Sequence, residues 1–78
     1  MATFSYETTR ENALYCVDHE DVKGIVLYRF NKPDFVFDKE LEIVRKVFDA
    51  HGLEYVESLA YNKKHGAGYS FTFPTREK

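Results

Sequence analysis

Residues 69–73 read Tyr69-Ser70-Phe71-Thr72-Phe73, and this strict alternation of aromatic and hydroxyl side chains decides the fold. Successive side chains of a β-strand point to opposite faces of its sheet, so the three aromatic rings share one face. We predict a strand whose aromatic face packs into the core. Pro74 ends the pairing because proline has no backbone N–H to donate.

The segment that precedes this strand predicts its partner in a hairpin. Residues 53–61 carry apolar side chains of one parity, interrupted by Glu57. Residues 62–68 form a polar, glycine-rich connector that contains Lys63-Lys64-His65. Two β-prone runs joined by a short glycine-containing loop predict a β-hairpin with these residues at its tip.

The main helix is predicted at about residues 38–51. Its apolar residues recur at helical spacing and form one stripe: Leu41, Val44, Val47 and Phe48. Asp38 is a suitable N-cap, Glu40 adds negative charge to the predicted first turn, and Gly52 can adopt the positive φ that ends many helices.

A strand is predicted at residues 25–30, followed by a turn at residues 31–34 around Pro33. This strand is apolar on both faces except at Arg29. Such a pattern is typical of a strand that lies in the middle of a sheet or is covered on both sides.

The first 23 residues admit two interpretations. Residues 8–11 read Thr-Thr-Arg-Glu, which fits a capping box and would open a helix at about 9–17. Residues 13–17 are rich in strand formers, and we favour a strand there that pairs with residues 25–30.

The predicted fold is therefore α+β, a small antiparallel sheet with one main helix at about 38–51 packed on one face. The element order is roughly β-β-α-β-β. The alternative with a helix at about 9–17 gives β-α-β-α-β-β, close to a ferredoxin-like sandwich.

The composition indicates one ordered domain over residues 1–78. Of the 78 residues, 44% are apolar and 17% aromatic, which argues against disorder. The net charge of −2 lacks the positive excess of a dedicated nucleic-acid binder. No long apolar stretch or signal-like N-terminus is present, so we expect a cytoplasmic protein without a membrane span.

No cluster of reactive side chains predicts catalysis, a metal site or a cofactor. Cys16 is the only cysteine, lies in an apolar run and is predicted to be buried. The loop Asp18-His19-Glu20-Asp21 is interpreted as a solvated acidic loop, and His51 as a histidine at a helix C-terminus. The sequence therefore predicts a non-enzymatic protein.

Residues 68–71, Gly-Tyr-Ser-Phe, resemble the aromatic RNP1 strand of RNA-recognition motifs, with lysines upstream. That resemblance implies base stacking on exposed rings. In that family, however, the motif lies on the third strand of a β-α-β-β-α-β fold and a helix follows it. Here the strand is the last element, so we predict that Tyr69, Phe71 and Phe73 face the core.

The aromatic content carries the functional expectation. Six tyrosines and seven phenylalanines exceed what one small helix–sheet interface hides. We expect the surplus to bind a larger protein, as an adaptor or inhibitor, or to support self-association into a homodimer. The alternative is a nucleic-acid-binding domain that uses the hairpin and its Lys-Lys tip. The candidate binding residues are Tyr61, Lys63, Lys64, His65 and Tyr69.

Overall fold

The computed structural model describes residues 6–76, which form two helices and a three-stranded antiparallel sheet. In chain order, the elements are α1 (Tyr6–Asp18), β1 (Gly24–Tyr28), α2 (Asp34–Ala50), β2 (Val56–Asn62) and β3 (Gly66–Thr72), followed by a short 3-10 helix at Pro74–Arg76. The sheet order is β1-β3-β2, so the last strand is central. The α+β class and the antiparallel sheet are confirmed, whereas the described order is α-β-α-β-β.

The favoured strand at residues 13–17 is wrong, because this segment lies inside α1. Thr9, Ala13 and Cys16 are buried at helical spacing, and their side of α1 packs against α2. The burial of this stripe outweighed the strand propensity of residues 13–17, and tertiary packing commonly overrides local propensity. The helical alternative at 9–17 names the right element, although the helix begins at Tyr6 and the predicted capping box lies within it. The first strand of that alternative would precede residue 6, outside the described residues.

The main helix begins at Asp34 and not at Asp38. Pro33 has an extended backbone, and its carbonyl accepts hydrogen bonds from the N–H groups of Val36 and Phe37, both at 3.1 Å. Val36 and Phe37 are buried, so the added turn packs into the core and is stabilised there. The predicted end is close to the observed one, because Gly52 follows the helix with φ of 68°.

β1 lies at an edge of the sheet and not in its middle, as far as residues 6–76 define it. It pairs with β3, and Ile25 lies opposite Phe71. The strand ends at Tyr28, because Phe30 and Asn31 adopt positive φ angles of 51° and 63° in the turn before Pro33. Of its apolar side chains, Ile25 and Leu27 pack against the core, whereas on the other face Tyr28 contacts the rings of Phe30 and His65.

The core lies between the helices and one face of the sheet. Phe48 of α2 is fully buried, and its ring contacts Phe71 at 5.9 Å and Phe73 at 5.2 Å, edge to face in both cases. Edge-to-face pairs of this kind add to the free energy gained by burial. The predicted inward direction of Phe71 and Phe73 is confirmed, and Tyr69 is partly buried beside them. On the opposite face of the sheet, Val26 is exposed.

Replacing Phe48 with alanine tests this core. Phe48→Ala removes a fully buried ring, so we expect the free energy of unfolding to fall by about 3–5 kcal/mol. Phe35→Ala is the matched control, because Phe35 lies on the same helix and is 73% exposed. We expect the control to change stability by less than about 0.5 kcal/mol. Urea denaturation followed by circular dichroism measures both, and equal losses would contradict the packing described.

Candidate functional site

The largest exposed apolar side chains of the sheet lie on β2. Leu59 is 83% exposed, Tyr61 76% and Val56 54%. Within residues 6–76, β2 pairs with β3 alone, so its outer edge is open. We call Val56, Leu59 and Tyr61, with this open backbone, the β2 edge surface. Such an edge is a ready template for another strand.

The ladder geometry shows which backbone groups of β2 face outward. The N–H of Arg29 donates to the carbonyl of Ala67, and the N–H of Phe73 donates to that of Lys23, both at 3.1 Å. Odd-numbered residues of β3 therefore bond toward β1, and even-numbered ones bond toward β2. Their partners on β2 are also even-numbered. It follows that the N–H and C=O groups of Glu57, Leu59 and Tyr61 point out of the sheet.

The only charged residue of β2 is tied to a helix. Glu57 accepts two hydrogen bonds from Arg45 of α2, at 2.9 Å from Nε and 2.8 Å from Nη2. The hydrogen bond to Glu57 raises the pKa of Arg45 above its ordinary value. The Arg45 guanidinium also lies 5.9 Å from the centre of the Tyr69 ring. Tyr69 is thus held in a packed position, and β2 presents no free charge along its length.

The hairpin tip is shaped by Asn62. Its side-chain oxygen accepts hydrogen bonds from the backbone N–H groups of Lys64 at 2.7 Å and His65 at 3.1 Å. Gly66 follows with φ of 86°, which a glycine adopts without strain. Lys63, Lys64 and His65 are exposed, as the sequence predicts for a solvated tip.

His65 belongs to a cluster of rings that the sequence did not reveal. Its ring lies 5.0 Å from that of Tyr28 and 5.6 Å from that of Phe30, and these two rings are 5.8 Å apart. We call Tyr28, Phe30 and His65 the aromatic tip. The other two aromatic residues of the predicted binding site, Tyr61 and Tyr69, lie on the opposite face of the sheet. The pairing of β1 with β3 places Tyr28 beside His65, and no local pattern in the sequence predicts that pairing.

A cleft of about 400 Å³ lies between α1, β1 and α2. It contains Glu40, which is only 5% exposed. The Glu40 carboxylate lies 2.7 Å from the Lys32 ammonium and accepts a 3.4 Å hydrogen bond from the Thr9 hydroxyl. We call this the Glu40 cleft. Because the carboxylate already has two partners, it joins α1 to α2 and does not act as an unpaired acid or base.

The sequence interpretation of Glu40 was wrong. With α2 beginning at Asp34, Glu40 lies beyond the first turn and shares the buried side of the helix with Phe37 and Val44. A useful signal was present, since Glu40 precedes the core residue Leu41 and is spaced by four from Val44. The predicted start at residue 38 hid this signal, because it placed Glu40 in the first turn of the helix.

The remaining titratable residues take structural positions. Cys16 is buried, and burial raises the pKa of its thiol above the ordinary value, with Arg76 opposing this in part. The Arg76 guanidinium donates to the carbonyls of Cys16 at 2.7 Å and Val17 at 3.2 Å, so it caps the end of α1. His19 stacks on Tyr15, and His51 is the exposed C-cap residue of α2. Within residues 6–76, no three His, Cys, Asp or Glu side chains converge as a metal site would require.

Comparison with known proteins finds no matching family, no matching curated protein and no matching solved structure. In the part of the chain that the structure describes, no helix combines the length and apolar character that crossing a bilayer requires.

The buried ion pair of the Glu40 cleft is testable by a pair of variants. Lys32→Met leaves the buried Glu40 carboxylate without its cation, so we expect stability to fall by about 3 kcal/mol. Adding Glu40→Leu removes the orphaned charge, and we expect the double variant to recover most of that loss. Urea denaturation measures both variants against the parent chain. A double variant no more stable than Lys32→Met would contradict the assignment.

Proposed function

We propose that this chain is a small non-enzymatic protein-binding module, an adaptor or inhibitor, that docks through the β2 edge surface. One observation carries the proposal: an open edge strand exposes Leu59 and Tyr61 by 83% and 76%. Isolated exposed apolar residues are ordinary, but two on an unpaired edge form a continuous contact strip.

β2 lacks most of the features that normally protect an edge strand. Proteins blunt such edges with lysine, proline, bulges or very short strands. β2 has seven residues, reads Val-Glu-Ser-Leu-Ala-Tyr-Asn, and pairs with β3 without a bulge. Its sole charge, on Glu57, is engaged by Arg45. A partner strand would thus gain backbone hydrogen bonds along the edge and side-chain contacts with Leu59 and Tyr61.

The non-enzymatic part of the proposal rests on the carboxylates. General acid–base catalysis needs a group free to exchange a proton with a substrate. The Glu40 carboxylate is held by Lys32 and Thr9. The Glu57 carboxylate accepts hydrogen bonds from Nε and Nη2 of Arg45. Both carboxylates therefore join elements of the fold and are not free to exchange a proton with a substrate, which supports a binding role.

Photocrosslinking tests the docking surface directly. Tyr61→benzoylphenylalanine, expressed in the native cells, is expected to give a discrete covalent protein adduct on illumination. Adding Leu59→Lys places a charge on the edge and should reduce the adduct at least about tenfold, without loss of fold at so exposed a position.

The matched control carries the same photoreactive residue on α2. Position 42 is also exposed but lies on α2 and not on β2, so we expect no discrete adduct from Glu42→benzoylphenylalanine. Absence of an adduct at position 61, or an equal adduct at position 42, would overturn the proposed docking surface.

The aromatic tip favours a second function, single-stranded nucleic-acid binding. Tyr28, Phe30 and His65 form a ring cluster beside the exposed Lys63 and Lys64. Exposed rings can stack bases while nearby ammonium groups contact phosphates. The net charge of −2 weighs against this function, so it stands second.

Fluorescence anisotropy with a labelled oligouridine at low salt tests this second function. If it is correct, the Lys63→Glu and Lys64→Glu double variant should bind at least about tenfold more weakly and with a smaller salt dependence. Phe30→Ala should weaken binding while leaving the salt dependence unchanged, because stacking carries no charge. A Lys39→Glu and Lys46→Glu variant on α2 controls for net charge. Salt-insensitive binding, or none, would exclude this function.

A further inference from the structure

We infer that the partner of the β2 edge surface is a second copy of this chain, paired β2 to β2 in antiparallel fashion about a two-fold axis at Leu59. The inference rests on the proposed function and names the partner of the same site. It follows from the direction of the backbone groups, the side chains along the edge and the charges at both ends of the strand.

The backbone groups select Leu59 as the centre. Antiparallel strands form hydrogen-bonded pairs only between residues whose N–H and C=O groups both point at the partner. On β2 these are Glu57, Leu59 and Tyr61. Centring the two-fold axis on Leu59 pairs Leu59 with itself and Glu57 with Tyr61 of the other copy, which gives roughly six interchain hydrogen bonds. A shift of the centre by one residue along either strand removes one of these pairs.

The side chains fit the same register. Leu59 meets Leu59 of the second copy, so the most exposed apolar side chain of the sheet becomes covered. Tyr61 lies beside Glu57 of the other copy, whose carboxylate is already held by Arg45. No like charges face each other along the strand, and like-charge pairs are what normally oppose strand addition.

The charges beyond the strand ends are complementary. Antiparallel pairing about Leu59 brings the end of β2 that follows Glu54 in each copy next to the hairpin tip of the other, which carries Lys63 and Lys64, and two-fold symmetry produces this contact twice. Glu54 and Lys64 are both exposed in the single chain.

A second copy also suits the size of the chain. A domain of 78 residues buries a smaller share of its surface than a larger one, and association offsets this deficit. The paired molecules would share one continuous sheet, because β2 and its copy lie side by side between the two β3 strands. A contact of one strand pair is small, so we expect reversible association at micromolar concentrations.

Exchanging the charges at the two ends of β2 tests the antiparallel pairing of the two copies. Sedimentation velocity over a concentration series should show a monomer–dimer equilibrium for the parent chain. Glu54→Lys and Lys64→Glu should each weaken dimerisation about tenfold, because each brings like charges together at both ends of the paired strands. An equimolar mixture of the two variants should associate at least as well as the parent, since both of its cross pairs are attractive.

The control for net charge is Lys46→Glu, which makes the same charge change at an exposed position of α2, outside the β2 edge surface. Dimerisation should change less than about threefold, because residue 46 lies outside the paired strands. Leu59→Lys should leave a monomer with an unchanged circular dichroism spectrum. Hydrogen exchange at the Leu59 amide should slow as the parent concentration rises, because that amide becomes bonded only in the dimer.

The outcomes separate this inference from the function on which it rests. A parent chain that stays monomeric at millimolar concentration overturns the inference, as does a mixture that fails to restore association. If the Tyr61 crosslink then yields an adduct other than twice the chain mass, the binding function stands with a different partner. If position 61 yields no adduct, both fall.

Discussion

The packing of Phe48 on Phe71 and Phe73 is the interaction on which the remaining structure depends. It lays α2 across the central strand β3, and the aromatic face of β3 then fixes which side of the sheet is covered. Because burial is roughly proportional to the apolar area removed from water, these large rings supply much of the stability of a small core.

The same packing explains why β2 remains uncovered. One helix can cover only part of a sheet, and α2 reaches β2 through the polar contact of Arg45 with Glu57. Beyond that contact, Leu59 and Tyr61 lie on the helix side of the sheet with no helix above them. The exposed strip is thus a consequence of how the core is built, and it coincides with the open backbone edge.

Local patterns predicted the elements that depend on local physics. The alternation at residues 69–73 correctly predicted that Phe71 and Phe73 are buried. Helical spacing predicted α2 and its end shortly before Gly52. Local patterns did not predict α1, because the strand-forming residues 14–17 concealed the helical spacing of the buried residues Thr9, Ala13 and Cys16. Strand order was also beyond reach, since the pairing of β1 with β3 joins residues distant in the chain.

In the candidate site, too, local features could be predicted from the sequence and long-range contacts could not. The hairpin tip could be predicted from its glycines and lysines, whereas the neighbours of His65 required the long-range pairing that brings Tyr28 beside it. The ion pair of Glu40 with Lys32 depended on where α2 begins, which a capping rule placed too late. Sequence reasoning therefore located exposed polar residues better than it located their contacts.

The central position of β3 has a consequence for how the chain acquires its shape during synthesis. β1 and β2 are made first, but neither touches the other in the sheet, and each must wait for residues 66–72 to leave the ribosome. Until then the chain holds two unpaired strand segments and an amphipathic helix without its aromatic partner. β1 therefore stays unpaired while α2 and β2 are made, whereas β2 can pair as soon as the adjacent β3 follows it, so β1 is the strand with the longer exposure to aggregation during synthesis.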